Sequence, residues 1–280
     1  MIFRLIFLAC FALNAFAADP FFFVQASDPQ FGMYTDNHDF DQETANWEFV
    51  IANANRLRPA FLVVTGDLTN QPRDAAQIAE YRRINAKLDK GIPLYSVAGN
   101  HDVGNEPSAA LLAAYRENYG PDFYSFQAGP VYGIVLNSSL LKAPARVPEE
   151  AQRQEAWLET ELAKARAAGA MPMVFQHIPL FLEKADEPDQ YFNIPLETRR
   201  RILAILHRGG VHQVFAGHYH RNSYGKDGDL EMITTGPAGM PIGPDPSGVR
   251  IVEVKEAAIM QAYYSLGRLP NTWPPPPEKK

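Results

Sequence analysis

The stretch LYSVAGNHD at residues 94–102 joins a short apolar run to four residues that begin a polar loop, and four other stretches share that arrangement. Each begins with apolar residues, a pattern typical of a buried strand, and ends in Asp, Asn, Gln or His. The four are FFFVQASDPQ, FLVVTGD, MVFQH and VHQVFAGHYH, which begin at Phe21, Phe61, Met173 and Val211. Because ligands of open α/β sheets bind at the carboxyl ends of the strands, we expect all five loops at one edge.

Between these strands the apolar spacing changes to that of helices. Helices are predicted over residues 43–57, 74–88, 109–118, 149–168 and 196–207. Further strands are predicted near residues 123–127 and 131–136, and then as a final run at 223–224, 230–235, 249–255 and 258–265. Strands that alternate with helices indicate an α/β layered domain, and the final run indicates a second sheet or an antiparallel extension of the first.

The composition is that of a single globular domain with a sizeable core. The chain has 280 residues, of which 46% are hydrophobic and 21% charged, and this excludes a disordered or collagen-like protein. Its formal charge of −6, without a long basic run, argues against general nucleic-acid binding. A small phosphorylated substrate stays open, because a local cationic site can overcome a modest net charge. Nothing in the sequence indicates an oligomeric state.

The N-terminus predicts an export signal. Residues 1–17 read MIFRLIFLACFALNAFA, with one positive charge at Arg4, an apolar run and a small-x-small pattern that ends at Ala17. Cleavage near Ala17 would make the protein secreted or periplasmic; a buried strand or helix is the alternative. No segment is apolar for long enough to span a membrane. Because Cys10 is the only cysteine, the mature chain would have no disulfide and no thiolate metal ligand.

The polar loop residues have the chemistry of a dimetal hydrolase. Two divalent cations about 3.5–4 Å apart need a bridging carboxylate, and Asp67 is the natural bridge. Imidazole and carboxylate ligands suit Mn, Fe and Zn, and a hydroxide between two such cations can attack a phosphate ester in line. Taken alone, Asp67 reads as a turn or cap residue and His177 as a core histidine. It is the joint pattern that predicts a metal centre.

The order D-x-[HQ], GD, GNHD, H, GHxH resembles the calcineurin-like metallophosphoesterases over residues 21–266. ASDPQFG at 26–32, GNHDVGN at 99–105, YFN at 191–193 and GHYHRN at 217–222 resemble one subfamily, the calcineurin-like phosphoesterase domain-containing protein 1 type, whose members include a serine/threonine protein phosphatase. The resemblance implies a four-layer α/β/β/α sandwich of two mixed sheets flanked by helices, formed by residues 18–270. The Pro-rich tail at 271–280 is expected to be disordered.

The resemblance also implies a role for each site residue. One metal would be held by Asp28, Gln30, Asp67 and His220, and the other by Asp67, Asn100, His177 and His218. His101 would contact the phosphate and protonate the leaving oxygen, and Asp102 would orient the His101 ring. Arg221 would touch the substrate phosphate, with a surface salt bridge as the alternative.

Gln30 departs from the wider superfamily, which has histidine at this position. An amide oxygen is a harder and weaker ligand than imidazole, so we expect Mn at this site, with Fe, Zn or Mg as alternatives. The GDxxDRG motif of the usual protein phosphatases is also absent, since residues 66–72 read GDLTNQP. The sequence therefore predicts an exported dimetal phosphomonoesterase that acts on a small phosphorylated substrate or a phosphoprotein. The alternatives are a phosphodiesterase or nucleotidase, and a non-catalytic protein of the same fold that binds a ligand or metal.

Overall fold

A computed structural model describes residues 21–255 and 258–275. The strands in this part of the chain are β1 (Phe21–Ala26), β2 (Leu62–Val64), β3 (Leu94–Ser96), β4 (Tyr124–Ala128), β5 (Val131–Val135), β6 (Met171–Phe175), β7 (Gln213–Ala216), β8 (Ser223–Asp227), β9 (Leu230–Thr234), β10 (Gly248–Lys255) and β11 (Ala258–Ser265). The helices are α1 (Asp41–Leu57), α2 (Ala75–Asn85), α3 (Asn100–Val103), α4 (Ala109–Tyr119), α5 (Ser138–Lys142), α6 (Pro148–Ala167) and α7 (Leu196–Gly209). Short 3₁₀ turns span Pro144–Arg146 and Leu266–Arg268.

The strands form two mixed sheets. The first has the order β11-β10-β1-β2-β3, in which β1, β2 and β3 are parallel and β10 pairs antiparallel with β1. The second has the order β4-β5-β6-β7-β9-β8, in which β5, β6, β7 and β9 are parallel and each edge strand is antiparallel. The final run of strands is therefore divided between the sheets, because β8 and β9 extend the second sheet and β10 and β11 extend the first.

Alternate side chains of each strand enter different cores, as the two-residue period of a strand requires. Phe23 and Val63 lie between the sheets, where the Phe23 ring meets Phe175 and Phe215 at centroid distances of 5.8 and 5.6 Å. Val24 points to the opposite face and packs in the core beneath α1, α2 and α4. The outer face of the second sheet packs against α6 and α7. The predicted four-layer α/β/β/α sandwich is confirmed.

The predicted helices and strands are all present, with ends that shift by a few residues. The missed elements include the one-turn helices α3 and α5, which are too short to show an apolar period. Of these, α3 carries the GNHD motif, so the predicted loop is partly a helical turn.

The predictions for the two chain ends concern residues that the structure describes only in part. The predicted signal at residues 1–17 lies outside the described residues, as do tail residues 276–280. The disorder of the tail stays a prediction; in the described part of it the Trp273 ring packs against Phe22 at 5.6 Å, and the Arg56 guanidinium donates to the neighbouring Pro270 carbonyl at 2.8 Å. Among the described helices, none combines the length and the apolar character that crossing a bilayer requires.

Candidate metal centre

The polar loops that follow the parallel strands converge on one buried cluster. Asp28, Asp67 and His220 bring one ligand atom each to within 4.8 Å of the others, and Asp67, His177 and His218 do the same. Asp67 belongs to both groups, as the sequence predicts for a bridging carboxylate. Below, the Gln30 site denotes the first predicted ligand set and the His177 site the second, that is, Asp28, Gln30, Asp67 and His220, and Asp67, Asn100, His177 and His218.

Direct contacts join the members of each site. His177 Nε2 lies 3.1 Å from Asp67 Oδ2 and 2.9 Å from Asn100 Oδ1. At the Gln30 site, His220 Nε2 lies 3.4 Å from Asp28 Oδ1. The Asn100 amide oxygen thus lies at the His177 site, next to the carboxylate and imidazole ligand atoms.

Backbone carbonyls fix which nitrogen of each histidine is free. The Nδ1 atoms of His177 and His220 lie 2.8 and 2.6 Å from the carbonyls of Thr65 and Met240, so each ring donates Nδ1–H and turns Nε2 toward the carboxylates. His218 uses the opposite tautomer, with Nε2 at 3.3 Å from the Tyr191 carbonyl. Such outer partners normally set the orientation of metal-binding histidines.

Gln30 supplies a buried acceptor that lacks a donor. Its side chain is 1% exposed, and its Nε2 donates to Asn70 Oδ1 at 3.0 Å. Its Oε1 receives no hydrogen bond from the described residues. An unpaired buried polar atom costs about 1–3 kcal/mol, which a coordinated cation would offset. This acceptor, together with the carboxylates and the free imidazole nitrogens, fits a site for two divalent cations.

The electrostatics of the cluster favour positive charge beside Asp67. Burial raises the pKa of Asp67, but the neighbouring His177, His101 and His218 outweigh burial and hold it well below its usual range. Burial lowers the pKa of His177, and the Asp67 carboxylate reverses this and raises it to about 9. Burial, reinforced by the charge of His177, lowers the pKa of His218 to about 3. Divalent cations bound beside Asp67 would supply the same positive charge, and the imidazoles would then be neutral.

Backbone strain concentrates in these loops. Asp28, Gln30, Asp67, His218 and His220 have φ between 40° and 68°, the left-handed region that non-glycine residues rarely adopt. They are five of the nine non-glycine residues with positive φ in the described chain. Such conformations cost on the order of 1–3 kcal/mol each and cluster at functional sites, so the fold holds these side chains inward at the expense of stability.

Glycines let the loops approach each other closely. A Cβ on Gly99 would lie 2.1 Å from Asp67 Oδ1, and one on Gly217 would lie 1.7 Å from Ser27 Oγ and 2.6 Å from Asp28 Oδ2. The three loops can therefore meet only if these positions carry no side chain.

His101 lies beside the cluster and belongs to neither group. Its backbone N–H donates to Asp67 Oδ1 at 2.8 Å, and its ring is partly exposed. The expectation that Asp102 orients this ring is wrong, because the partner of His101 Nδ1 is the Asn70 carbonyl at 2.8 Å. Adjacent residues of a helical turn do not face each other, so the Asp102 carboxylate points away and binds the backbone N–H groups of Gly99, Leu68 and Thr69. Asp102 therefore ties the GNHD turn to the GD loop.

The Arg221 side chain packs over an aromatic ring and does not form, with any described residue, the surface salt bridge that was the alternative. Its guanidinium carbon lies 4.5 Å from the centroid of Tyr219, and it forms no ion pair with a described carboxylate. Its Nε is buried and has no hydrogen-bond partner among the described residues. This placement leaves the guanidinium available to an anion.

Tyr191 is a site residue for which sequence reasoning gave no role. Its hydroxyl lies 3.4 Å from Asn100 Nδ2, and its ring lies 5.0 Å from the His218 ring while 53% of the residue is exposed. The only signal was the YFN stretch in the subfamily resemblance. Asn70 was also missed, although it lies in the GDLTN run, and it contacts both Gln30 and His101.

The chain belongs to the calcineurin-like phosphoesterase family, whose profile matches residues 23–222. This confirms the family resemblance and, at the level of the family, the prediction of a metal-dependent phosphoric ester hydrolase.

Curated relatives extend the similarity over most of the chain. Serine/threonine-protein phosphatase CPPED1 from Homo sapiens is 38% identical over 267 residues, which are 89% of this chain and 85% of that protein. The protein of the same name from Danio rerio is 36% identical over 266 residues, 89% of this chain and 86% of that protein.

Solved structures share the fold at low sequence identity. A dimetal phosphatase from Danio rerio superposes with a TM-score of 0.66 at 15% identity, over 89% of this chain and 97% of that one. GAP50, described as the anchor in the inner membrane complex of Plasmodium, gives 0.65 at 14% identity, over 88% and 84%. At this identity the likeness shows the fold alone.

Proposed function

We propose that this protein is an exported phosphomonoesterase that uses two divalent cations. The observation that carries the proposal is the sharing of one buried carboxylate, Asp67, by two groups of candidate ligands. The unpaired Gln30 Oε1 at one of them supports it, because a cation would satisfy that atom.

In this proposal the Gln30 site and the His177 site each hold one cation. When bound, the two cations would activate the attacking water and polarise the phosphoryl oxygens. The residues of the chain do the rest: Arg221 binds a phosphoryl oxygen through its unpaired guanidinium, and His101 donates a proton to the leaving oxygen. The Asn70 carbonyl holds His101 Nδ1, so Nε2 is the nitrogen that serves the substrate.

The name of the curated relatives points to phosphoserine and phosphothreonine side chains as substrates. We propose a phosphomonoester of this kind, in a protein or a small molecule. A phosphodiesterase or nucleotidase is the second candidate. A non-catalytic binding protein is the third, and it stays in view because a protein described as an anchor has the same fold.

We expect hydrolysis of p-nitrophenyl phosphate to exceed that of bis-p-nitrophenyl phosphate, and Mn²⁺ to restore activity best after chelation. Gln30 is the reason for the choice of Mn²⁺, since its amide oxygen is a hard ligand among the imidazoles. The measurement is the initial rate on both substrates in a series of Mn²⁺, Fe²⁺, Zn²⁺ and Mg²⁺. Faster cleavage of the diester would favour a phosphodiesterase, and a rate no higher than that of an Asp67→Asn variant would favour the third candidate. Full activity in metal-free protein, verified by elemental analysis, would refute the cation requirement.

Export is tested on the product itself. The pattern of Arg4, an apolar run and Ala17 leads us to expect a mature chain that starts near Ala18. Intact-mass analysis of the protein from the extracytoplasmic fraction measures this directly, with an Ala17→Arg variant as a control that should block cleavage. An unprocessed chain that begins at Met1 in the cytoplasm would contradict the proposal.

A further inference from the structure

A chain of side-chain amides runs from the first turn of α2 to the Gln30 site. Asp74 caps α2 and places Gln77 in the first turn, with its side chain 2% exposed. Gln77 Oε1 accepts the backbone N–H groups of Asn70 and Gln71, each at 3.0 Å. A backbone N–H can only donate, so the oxygen of Gln77 has to face these two groups and its Nε2 has to point the other way.

The remaining contacts carry this direction to Gln30. Gln77 Nε2 lies 2.9 Å from Asn37 Oδ1, which also receives Asn70 Nδ2 at 2.8 Å. Asn70 therefore turns its Oδ1 toward Gln30 and accepts Gln30 Nε2 at 3.0 Å. With its nitrogen engaged there, Gln30 presents Oε1 on the side where no described residue donates to it. Two backbone N–H groups thus set the orientation of the Gln30 amide through three intervening side chains.

We propose that Gln77, Asn37 and Asn70 are positioning residues that turn the oxygen of Gln30, rather than its nitrogen, toward the bound cation. The inference rests on the proposed Gln30 site. The two orientations of an amide have nearly the same shape, so packing cannot select between them and hydrogen bonds must. Only the oxygen can bind a hard cation, because the amide nitrogen carries two positive hydrogens and no available lone pair.

The relay is the chain of amide hydrogen bonds from Gln77 through Asn37 and Asn70 to Gln30. Two near-isosteric substitutions, each of which adds one negative charge, distinguish the effect of this relay from a general effect of charge on cation binding. Gln77→Glu keeps the acceptor for the two backbone N–H groups but can no longer donate to Asn37. Asn37 then turns its Nδ2 toward Glu, Asn70 and Gln30 turn in succession, and Gln30 presents nitrogen to the cation. Asn37→Asp needs no donor and accepts from both Gln77 and Asn70, so the relay keeps its direction, and Asp tolerates the φ of 68° at this position.

We expect Gln77→Glu to lose one of two bound Mn²⁺ per chain, or to bind it at least about tenfold more weakly, as removal of partners that orient ligands usually does. Asn37→Asp should keep both. A simple charge effect would instead strengthen cation binding in both variants. The measurement is calorimetric titration of metal-free protein with Mn²⁺, with the melting temperature of each metal-free variant as the control for folding.

A double variant keeps the test decisive if Gln77→Glu also perturbs the fold. Adding Asn70→Asp to Gln77→Glu supplies an acceptor-only partner that forces Gln30 to present its nitrogen to position 70, so the second Mn²⁺ should return. Retention of both Mn²⁺ in Gln77→Glu, loss in Asn37→Asp, or no recovery in the double variant would each overturn the relay. Failure of the proposed function looks different, because the wild-type protein would then bind no Mn²⁺ or bind two without hydrolysing any phosphate ester.

Discussion

Asp67→Asn is expected to release both cations and abolish hydrolysis. Asp67 is the residue common to both ligand groups. It is 1% exposed, so solvent water cannot reach the site to take its place as a ligand unless the loops rearrange. The substitution keeps the shape of the side chain but removes the charge that holds two cations against their mutual repulsion. We expect Mn²⁺ affinity to fall by more than about 100-fold, the upper range seen when residues that merely support ligands are removed.

The same variant should lose the stabilisation that cations give the fold. A ligand at 100 times its Kd stabilises the native state by about 2.7 kcal/mol, so Mn²⁺ should raise the melting temperature of the wild-type protein and leave that of Asp67→Asn unchanged. Asp227→Asn is the matched control, because Asp227 pairs with His207 at 2.8 Å and belongs to neither ligand group. Mn²⁺ binding of wild-type affinity in Asp67→Asn would show that this residue does not bridge the cations.

The convergence of the loops could be predicted because it follows from strand polarity. An apolar strand followed by a polar residue puts that residue at the carboxyl edge, and parallel strands share that edge. Strand polarity therefore predicts that Asp28, Asp67, His177, His218 and His220 lie together, and the structure brings all five into one cluster.

The finer arrangement could not be predicted, because it depends on contacts between distant segments. The family resemblance implied that Asp102 orients His101, whereas the structure gives that contact to the Asn70 carbonyl, 31 residues away in the chain. The left-handed backbone at Asp28 and Asp67 is imposed by the loops packed around it, and no residue preference predicts it. The orientation of the Gln30 amide likewise depends on partners in a helix and a separate loop.

His101→Ala is expected to keep its metal and slow the reaction by a factor that depends on the leaving group. His101 belongs to neither ligand group and is partly exposed, whereas the ligand candidates around it are buried. Its Nδ1 is engaged by the Asn70 carbonyl, which leaves Nε2 to donate to the leaving oxygen. Loss of such a general acid typically costs about 10²–10⁴-fold.

The dependence on leaving group distinguishes proton donation from phosphate positioning. p-Nitrophenolate leaves without protonation, so its ester should lose little rate in His101→Ala, whereas a phosphoserine peptide, which must expel an alkoxide, should lose the full factor. The measurement is the rate on both substrates together with Mn²⁺ content, and His207→Ala on the surface of α7 is the matched control. Loss of metal from His101→Ala would make His101 a ligand. An equal loss of rate on both substrates would assign it to holding the phosphate, because electrostatic positioning acts on the phosphoryl group whatever group departs.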